Sequence, residues 1–471
     1  MTDNKKCNER KIEPLRLGIY LYTILLAGLN LIRIFDNNFW GDEAYSIRLS
    51  KMSFVEMLGE TAQDVHPPLY YLILQIMCKI FGNSGIVYHF TSLIPYLIIL
   101  AIAITLIWKR FGAEATILFV TMTSVLETAV SYNVEVRMYS WGALFMLLSF
   151  WELHEIFRTN GNKEYILFVL FSLAGAYTHY YCLVSVAFFY FALIVWAIWK
   201  RHMFLKKTLI ACVTTVLLYL PWFFVLLITF QRTMKDFWMN TIPYLKDCFE
   251  FFFHGNLSFI FLAVMLIAVL AAIWYQRIDA VKWMWYLAGL GSLFGTILVG
   301  NLMSRIFRPV FIVRYLYPVT IIAWFLLAVC IAECKRKRIY AVILTIALLA
   351  VGLPEYVTTY RADKEQDILL QETLAMTKQA MTHGNVMLTD SSVIDWTVAD
   401  YYYPDTERVL LAADTVIPWE DDKQYWLFLE YQILPEILEQ VEEQGYLLQE
   451  VVEKGTLGTN PVSVYKLYKE N

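Results

Sequence analysis

Four short stretches put ionisable and hydrogen-bonding side chains at the ends of apolar runs, where holding a charge costs free energy unless something pairs with it or uses it. The first is Phe39-Trp40-Gly41-Asp42-Glu43-Ala44-Tyr45. Its adjacent carboxylates point in different directions, so one can take a proton while the other orients a partner or a metal. The same pair also suits a helix N-terminus, where acids are favoured without any chemistry. The second is Asp64-Val65-His66-Pro67-Pro68-Leu69-Tyr70, in which the prolines start a helix and His66 stands just before it. The third, Asn133-Val134-Glu135-Val136-Arg137-Met138-Tyr139-Ser140, offers an acid, a base and a phenol between two apolar runs, either paired with one another or turned to a substrate. The fourth group is cationic: His179 within Tyr177-Thr178-His179-Tyr180-Tyr181, and Arg305, Arg308 and Arg314 around the start of a later run. Arginines at such depth often snorkel to headgroups, but Arg314, in Val313-Arg314-Tyr315-Leu316-Tyr317-Pro318, sits deepest.

The elements that must hold these residues are membrane helices. Of the 471 residues 59% are hydrophobic and 17% charged, against roughly 45–50% and about 25% for a soluble chain. That balance, with 31 Phe, 31 Tyr and 15 Trp, disfavours a purely soluble protein and excludes disorder, collagen and coiled coil. Seven cysteines, at 7, 78, 182, 212, 248, 330 and 334, show no CxxC spacing and no paired framework. Apolar runs of spanning length, about 17–25 residues, lie at 15–35, 86–108, 112–131, 138–157, 207–230, 257–275, 282–303, 310–332 and 338–354. The run 164–199 is too long for one span and is split at its polar middle, Tyr177 to Tyr181. If 66–80 does not cross, the clusters Lys109-Arg110, Arg158 with Lys163, Lys200 to Lys207, Arg277 with Lys282, and Lys335 to Arg338 all fall on the cytoplasmic side, as the positive-inside rule requires. The expectation is therefore a mainly α polytopic protein with about 11 transmembrane helices over residues 1–355. A large first external loop, 36–85, carries juxtamembrane helices.

From about residue 356 the pattern changes. Short apolar runs at 385–389, 408–411 and 424–430 predict strands, and 363–382, 391–402 and 432–444 predict helices, giving a small extracytoplasmic α/β domain over 356–471. Without a glycine-rich phosphate loop it carries no nucleotide-binding signal. The formal net charge of −4 hides an uneven distribution, since 361–471 holds 8 Lys/Arg against 21 Asp/Glu.

In their order and shared sidedness, WGDEAY, HPPLYY, NVEVRMYS, THYY and VRYLYP resemble the polytopic sugar transferases of glycosyltransferase family 39, whose relatives include protein O-mannosyltransferases and lipid A aminoarabinose transferases. The resemblance covers roughly 15–355. It implies a GT-C fold, a polyprenyl-phosphate-linked sugar donor used on the external leaflet, and no nucleotide sugar. Asp42 matches the first-loop acid proposed as catalytic base, with Glu43 its neighbour. His66 with Pro67-Pro68-Leu69 matches the family's His-Pro-Pro-Leu stretch, and Glu135 and Arg137 fall on the acid and base of the second external motif, beside Tyr139. Relatives often carry an Asp near Glu135, so a divalent metal there is left open, and no cofactor is assigned. Arg314 and His179 would supply positive charge to the departing phosphate, with Arg137 in reserve.

The expected partners are thus a polyprenyl-phosphate sugar, an external hydroxyl acceptor on protein, cell-wall polymer or glycolipid, and the bilayer, with no nucleic acid. The expected activity is inverting transfer in a cell-membrane protein. The aromatic loop 231–256 is read as interfacial, with Asp236 and His254 as unranked contributors. Two other classes fit parts of the sequence: a secondary transporter, which would carry broken helices and ionisable groups at the midplane, and a non-catalytic scaffold for envelope glycan assembly.

Overall fold

A computed structural model describes residues 2–200, 202–235, 239, 241–252, 263–264, 267, 279–378, 381 and 384–470, with side chains from Pro14 onward except His202. The expected span at 257–275 lies almost wholly outside the described residues, as do Asp236 and His254. By its internal contacts the chain forms two compact units, one of residues 1–34, 53–80 and 89–356, the other of 35–52, 81–88 and 357–471.

The helices run in the order α1 (Thr2–Leu31), α2 (Gly41–Lys51), α3 (Phe54–Thr61), α4 (Leu69–Phe81), α5 (Gly85–Phe111), α6 (Ala113–Val125), α7 (Glu127–Tyr132), α8 (Tyr139–Thr159), α9 (Asn162–Thr178), α10 (Tyr180–Lys200), α11 (His202–Lys235), α12 (Leu245–Glu250), α13 (Ala280–Ile306), α14 (Tyr317–Ala332) and α15 (Lys337–Thr377). Seven of the eleven expected spans coincide with helices long and apolar enough to cross a membrane: α1, α5, α10, α11, α13, α14 and α15. Run 112–131 is broken at Leu126, whose extended backbone separates α6 from α7. Helices stand at 138–157 and 164–178 as expected, but Glu152, His154, Glu155 and Arg158 make α8 too polar to qualify on composition alone, and α9 has only 17 residues. Helix α4 has 13 residues, about 20 Å, well short of the roughly 30 Å hydrocarbon core.

The first unit is built around α14. All sixteen of its residues are buried, and it packs against α6, α8 and α13. Such an element is apolar on every face because no face meets water. Aromatic rings lock its neighbours, with Phe150 stacked on Trp285 at 4.7 Å and the Trp285 indole donating to the Phe150 carbonyl at 2.9 Å. Helix α15 approaches α6 so closely at Gly352 that a Cβ there would stand 2.4 Å from the Val125 carbonyl oxygen.

The second unit is a five-stranded sheet in the order β2-β1-β3-β5-β4. Its strands are β1 (Asn385–Thr389), β2 (Glu407–Leu410), β3 (Gln424–Leu429), β4 (Leu447–Leu457) and β5 (Asn460–Tyr468). Strand β1 pairs parallel with β2 and β3, and β5 pairs antiparallel with β3 and β4. Both faces are covered. Val386, Leu388, Leu427 and Leu429 pack with helix α16 (Pro435–Glu443) on one side. Met387, Trp426 and Phe428 face the other side, with Ile394, Val398, Tyr402, Tyr403 and Ala44 of α2. The first-loop helix that carries Asp42 is therefore part of the core made by the C-terminal tail, a partnership the sequence did not announce.

Candidate active site

In the first unit, loops between helices bring together side chains from four distant stretches. His66 ends the loop after α3; Arg137 lies between α7 and α8; Tyr139 opens α8; His179 is the single residue between α9 and α10; Tyr315 lies in the 3-10 turn Val313–Leu316. The His179 ring stands 5.6 Å from that of His66, 5.8 Å from Tyr139 and 4.8 Å from Tyr315, measured between centroids. Arg137 lies with Nη2 3.4 Å from His66 Nδ1, and its Nη1 donates to the Tyr71 hydroxyl at 3.4 Å. Tyr139 feels the charges of Arg314, Arg137 and Glu135, so the acid and the deeper arginine belong to the same electrostatic neighbourhood.

The loop bearing Glu135 and Arg137 is held by a buried polar network. The Asn133 amide donates to Asn30 Oδ1 at 3.1 Å and to the Thr123 carbonyl at 3.0 Å, and the Tyr317 hydroxyl donates to Asn133 Oδ1 at 2.9 Å. His89 Nδ1 meets the Val134 carbonyl at 2.8 Å. Groups so fully paired fix one geometry, because each lost bond would leave a buried polar atom unsatisfied.

His179 is buried and neutral. Burial first, and then the charges of His66, Arg137 and Arg314, push its pKa well below the ordinary value. The Tyr181 N–H donates to its Nδ1 at 3.1 Å, so the ring proton sits on Nε2. That buried nitrogen and the buried Tyr139 hydroxyl have no hydrogen-bond partner among the described residues, and each is thus available to a ligand. An apolar cavity of about 490 Å³ begins at His66, His179 and Tyr315 and continues between Leu183, Val184, Leu226, Phe230 and Met303. A mostly apolar lining with a few polar groups suits an amphiphile.

Asp64 supports this polar end. Its carboxylate lies 3.3 Å from His66 Nδ1. Burial alone would raise its pKa, but the hydrogen bond and charge of His66, with the charge of Arg137, hold it below the usual carboxylate value. A depressed pKa contributes stability that is present above the unfolded value, about 3.9, and is lost only as pH falls through the folded one. Asp64→Asn should lower the unfolding temperature at pH 7, since removing one partner of a buried charged set costs about 3–5 kcal/mol. The difference from the parent should begin to shrink below about pH 4, where the carboxylate of the unfolded parent protonates, and vanish only below the depressed folded value. Thermal scans of the purified protein at pH 7 and pH 3.5 test both parts.

In the second unit Asp42 occupies the first turn of α2, partly exposed, while Glu43 is buried and accepts the Trp40 N–H at 3.3 Å as a helix-capping brace. The segment leading into α2 is pinned by one phenol: the Tyr402 hydroxyl accepts from the Phe39 N–H at 3.1 Å and donates to the Asn37 carbonyl at 3.0 Å. Phe39 is fully buried against Tyr88 and Tyr401. Gly458, at φ +62°, comes so near that a Cβ would lie 2.4 Å from the Phe39 carbonyl oxygen. Gly458→Ala is therefore expected to cost about 1–2 kcal/mol from left-handed backbone alone and more from the collision, read as a lower unfolding temperature.

Among the described residues no three or more His, Cys, Asp or Glu side chains converge, so a divalent ion at Glu135 would find no ready-made protein cage. Four residues of the polar cluster escape a reading by motif. Asp64, Tyr71, Tyr181 and Tyr315 all stand inside stretches singled out for their neighbours; only the fold shows what each touches.

Comparison with known proteins bears on the architecture. The crystal structure of ArnT from Cupriavidus metallidurans in the apo state superposes with a TM-score of 0.62 at 10% identity, over 96% of this chain and 98% of that one. The same protein bound to undecaprenyl phosphate gives 0.61, over 95% and 98%. The chain has the GT-C fold. Residues 65–228 match the model of the dolichyl-phosphate-mannose-protein mannosyltransferase family, in line with the resemblance carried by the motifs. That match contains His66, Glu135, Arg137, Tyr139 and His179, whereas Asp42, Glu43 and Arg314 lie outside it. No curated protein matches. With its apolar helices, the GT-C fold makes this an integral membrane protein, and the structural likeness extends over the tail that the motif resemblance does not reach.

Proposed function

We propose that the chain is a membrane glycosyltransferase that moves a sugar from a polyprenyl-phosphate donor to a hydroxyl acceptor on the external face of the membrane. The observation that carries this reading is the apolar cavity ending at His66, His179 and Tyr315. A prenyl chain meets an apolar wall there, and its phosphate meets the His179 Nε2–H with Arg137 and Arg314 nearby. That the similarly folded ArnT has been crystallised with undecaprenyl phosphate supports a lipid of this class. The positive-inside pattern of the connecting loops supports the external side.

In this reading Asp42 accepts the proton of the acceptor hydroxyl as its oxygen attacks the sugar C1. The bond between C1 and the phosphate oxygen breaks, and polyprenyl phosphate leaves with the electron pair, which inverts the anomeric centre. Arg314 offsets the charge that grows on the phosphate. Neutral His179 contributes a hydrogen bond rather than a charge, and Arg137, tied to His66 and Tyr71, orients the donor end. Glu43 serves as the brace of the helix that carries the base.

The test is to incubate the purified protein in lipid nanodiscs with a panel of polyprenyl-phosphate sugars and to follow released polyprenyl phosphate by mass spectrometry. At least one donor should be consumed, faster with a hydroxyl acceptor than with water. A folded protein that turns over none of them would remove the transferase reading and favour a scaffold.

A further inference from the structure

Of the eleven residues of α2, seven are buried, and the four that keep surface are Asp42, Tyr45, Arg48 and Lys51. The spacing of three sets neighbouring members about 60° apart round the helix, so Tyr45 lies between Asp42 and Arg48, with Lys51 beyond Arg48, while Ala44 packs into the core of the unit. A second ring extends the stripe. Trp396, 62% exposed, stacks on Tyr45 with centroids 6.3 Å apart and planes 16° from parallel. It projects from the π-turn Ile394–Val398, whose inward residues Ile394 and Val398 are buried. The Arg48 guanidinium lies over both rings, 5.5 Å from the Tyr45 centroid and 5.3 Å from that of Trp396, and Lys51 lies 5.4 Å over Tyr401. These cations stand on a helix seated in a tail whose residues 361–471 carry 21 acids against 8 bases.

A single exposed ring is ordinary on a protein surface; two rings stacked under one guanidinium form a defined platform. Here the exposed ring is held flat by a neighbouring ring and a guanidinium, whose N–H fork suits a planar acid. Three residues of helix rise about 4.5 Å, so a ring lying on Tyr45 brings its edge to the level of Asp42.

We infer that the Asp42–Tyr45–Arg48 stripe with Trp396 is the acceptor site and that the acceptor is an acidic saccharide. Its ring lies on Trp396 and Tyr45, its acidic group meets Arg48, and a hydroxyl is presented to Asp42. This rests on the reading of Asp42 as the base.

The experiment uses the full-length protein in nanodiscs and two probes: a tetrasaccharide of alternating glucuronate and N-acetylglucosamine, and the neutral N-acetylglucosamine tetrasaccharide. Binding is followed by saturation-transfer NMR, with unfolding temperatures as a check on folding. The acidic probe should bind at least 10-fold more tightly than the neutral one. Trp396→Ala and Arg48→Gln should each weaken it at least 10-fold, and Arg48→Lys less so. Binding of neither probe, or binding indifferent to both Trp396→Ala and Arg48→Gln, overturns the proposal. Undecaprenyl-phosphate binding and Asp42→Asn transfer, measured on the same samples, report separately on the transferase reading.

Discussion

On the proposed reading, Asp42→Asn should lose about 10²–10⁴-fold in the rate of sugar transfer, the range that a positioned general base supplies, while the protein should insert, fold and bind a polyprenyl phosphate as the parent does. The substitution keeps the shape of the side chain and removes its ability to take a proton. Its structural cost is small, since Asp42 is a partly exposed first-turn acid and such an acid contributes about 0.3–1 kcal/mol to its helix. The loss should therefore fall on kcat with the donor KM little changed. Glu43→Gln provides the contrast. Glu43 accepts the Trp40 N–H, a bond that a glutamine oxygen also accepts, so transfer should drop by less than about tenfold for a neutral capping bond worth around 1 kcal/mol. Transfer by Asp42→Asn at the parent rate would eliminate Asp42 as the base.

Arg314→Gln should lower kcat/KM for the donor by about 10²–10³-fold, the scale on which a single fixed donor to a developing charge contributes. Arg314 stands in the 3-10 turn that leads into α14, the most deeply buried helix of its unit, so its backbone is held by the core rather than by a mobile loop. A preorganised cation of this kind acts more strongly on the transition state, where charge gathers on the phosphate, than on the bound donor. Both kcat and kcat/KM should fall, and Arg314→Lys should recover part of each by restoring the charge without the fork. Kinetics with a fixed donor and varied acceptor separate this from Asp42→Asn. Unchanged kcat in Arg314→Gln would move the phosphate role to Arg137.

Much of the architecture was legible because lipid as solvent leaves long apolar runs with few exceptions. The turn at His179 shows as a polar break in a 36-residue run, and α4 begins at Leu69, directly after the two prolines. Strands β1, β2 and β3 are legible because compact apolar runs flanked by charge have few other uses. Strands β4 and β5 were missed since Gln449, Glu450, Glu453 and Lys454 interrupt one and Lys466 the other; their pairing is antiparallel, with shifts in register between Glu450 and Val452 and between Val452 and Gly455. The break at Leu126 has no proline or glycine to mark it. Residues of the candidate site stand out singly wherever a motif carries them, and the contacts among them are illegible from the sequence. Nothing near Asp42 announces that Tyr402, more than 350 positions away, holds the backbone before it, and nothing near His179 announces that Tyr181 selects its tautomer.

The second unit is assembled from residues 35–52, 81–88 and 357–471, and that interleaving sets a timetable for biosynthesis. Helix α2 leaves the ribosome early, whereas Tyr402 and Gly458, which hold the segment leading into it, follow more than 350 residues later. At synthesis rates of roughly 5–20 residues per second the delay is on the order of 20–80 seconds. Throughout that interval the helix bearing Asp42 has no completed core to dock into, even after Tyr315, the last of the described cavity-lining residues, has been made. On the proposed reading, a chain cut short before β4 and β5 is expected to be inert in transfer, because the helix that carries Asp42 lacks the core that seats it.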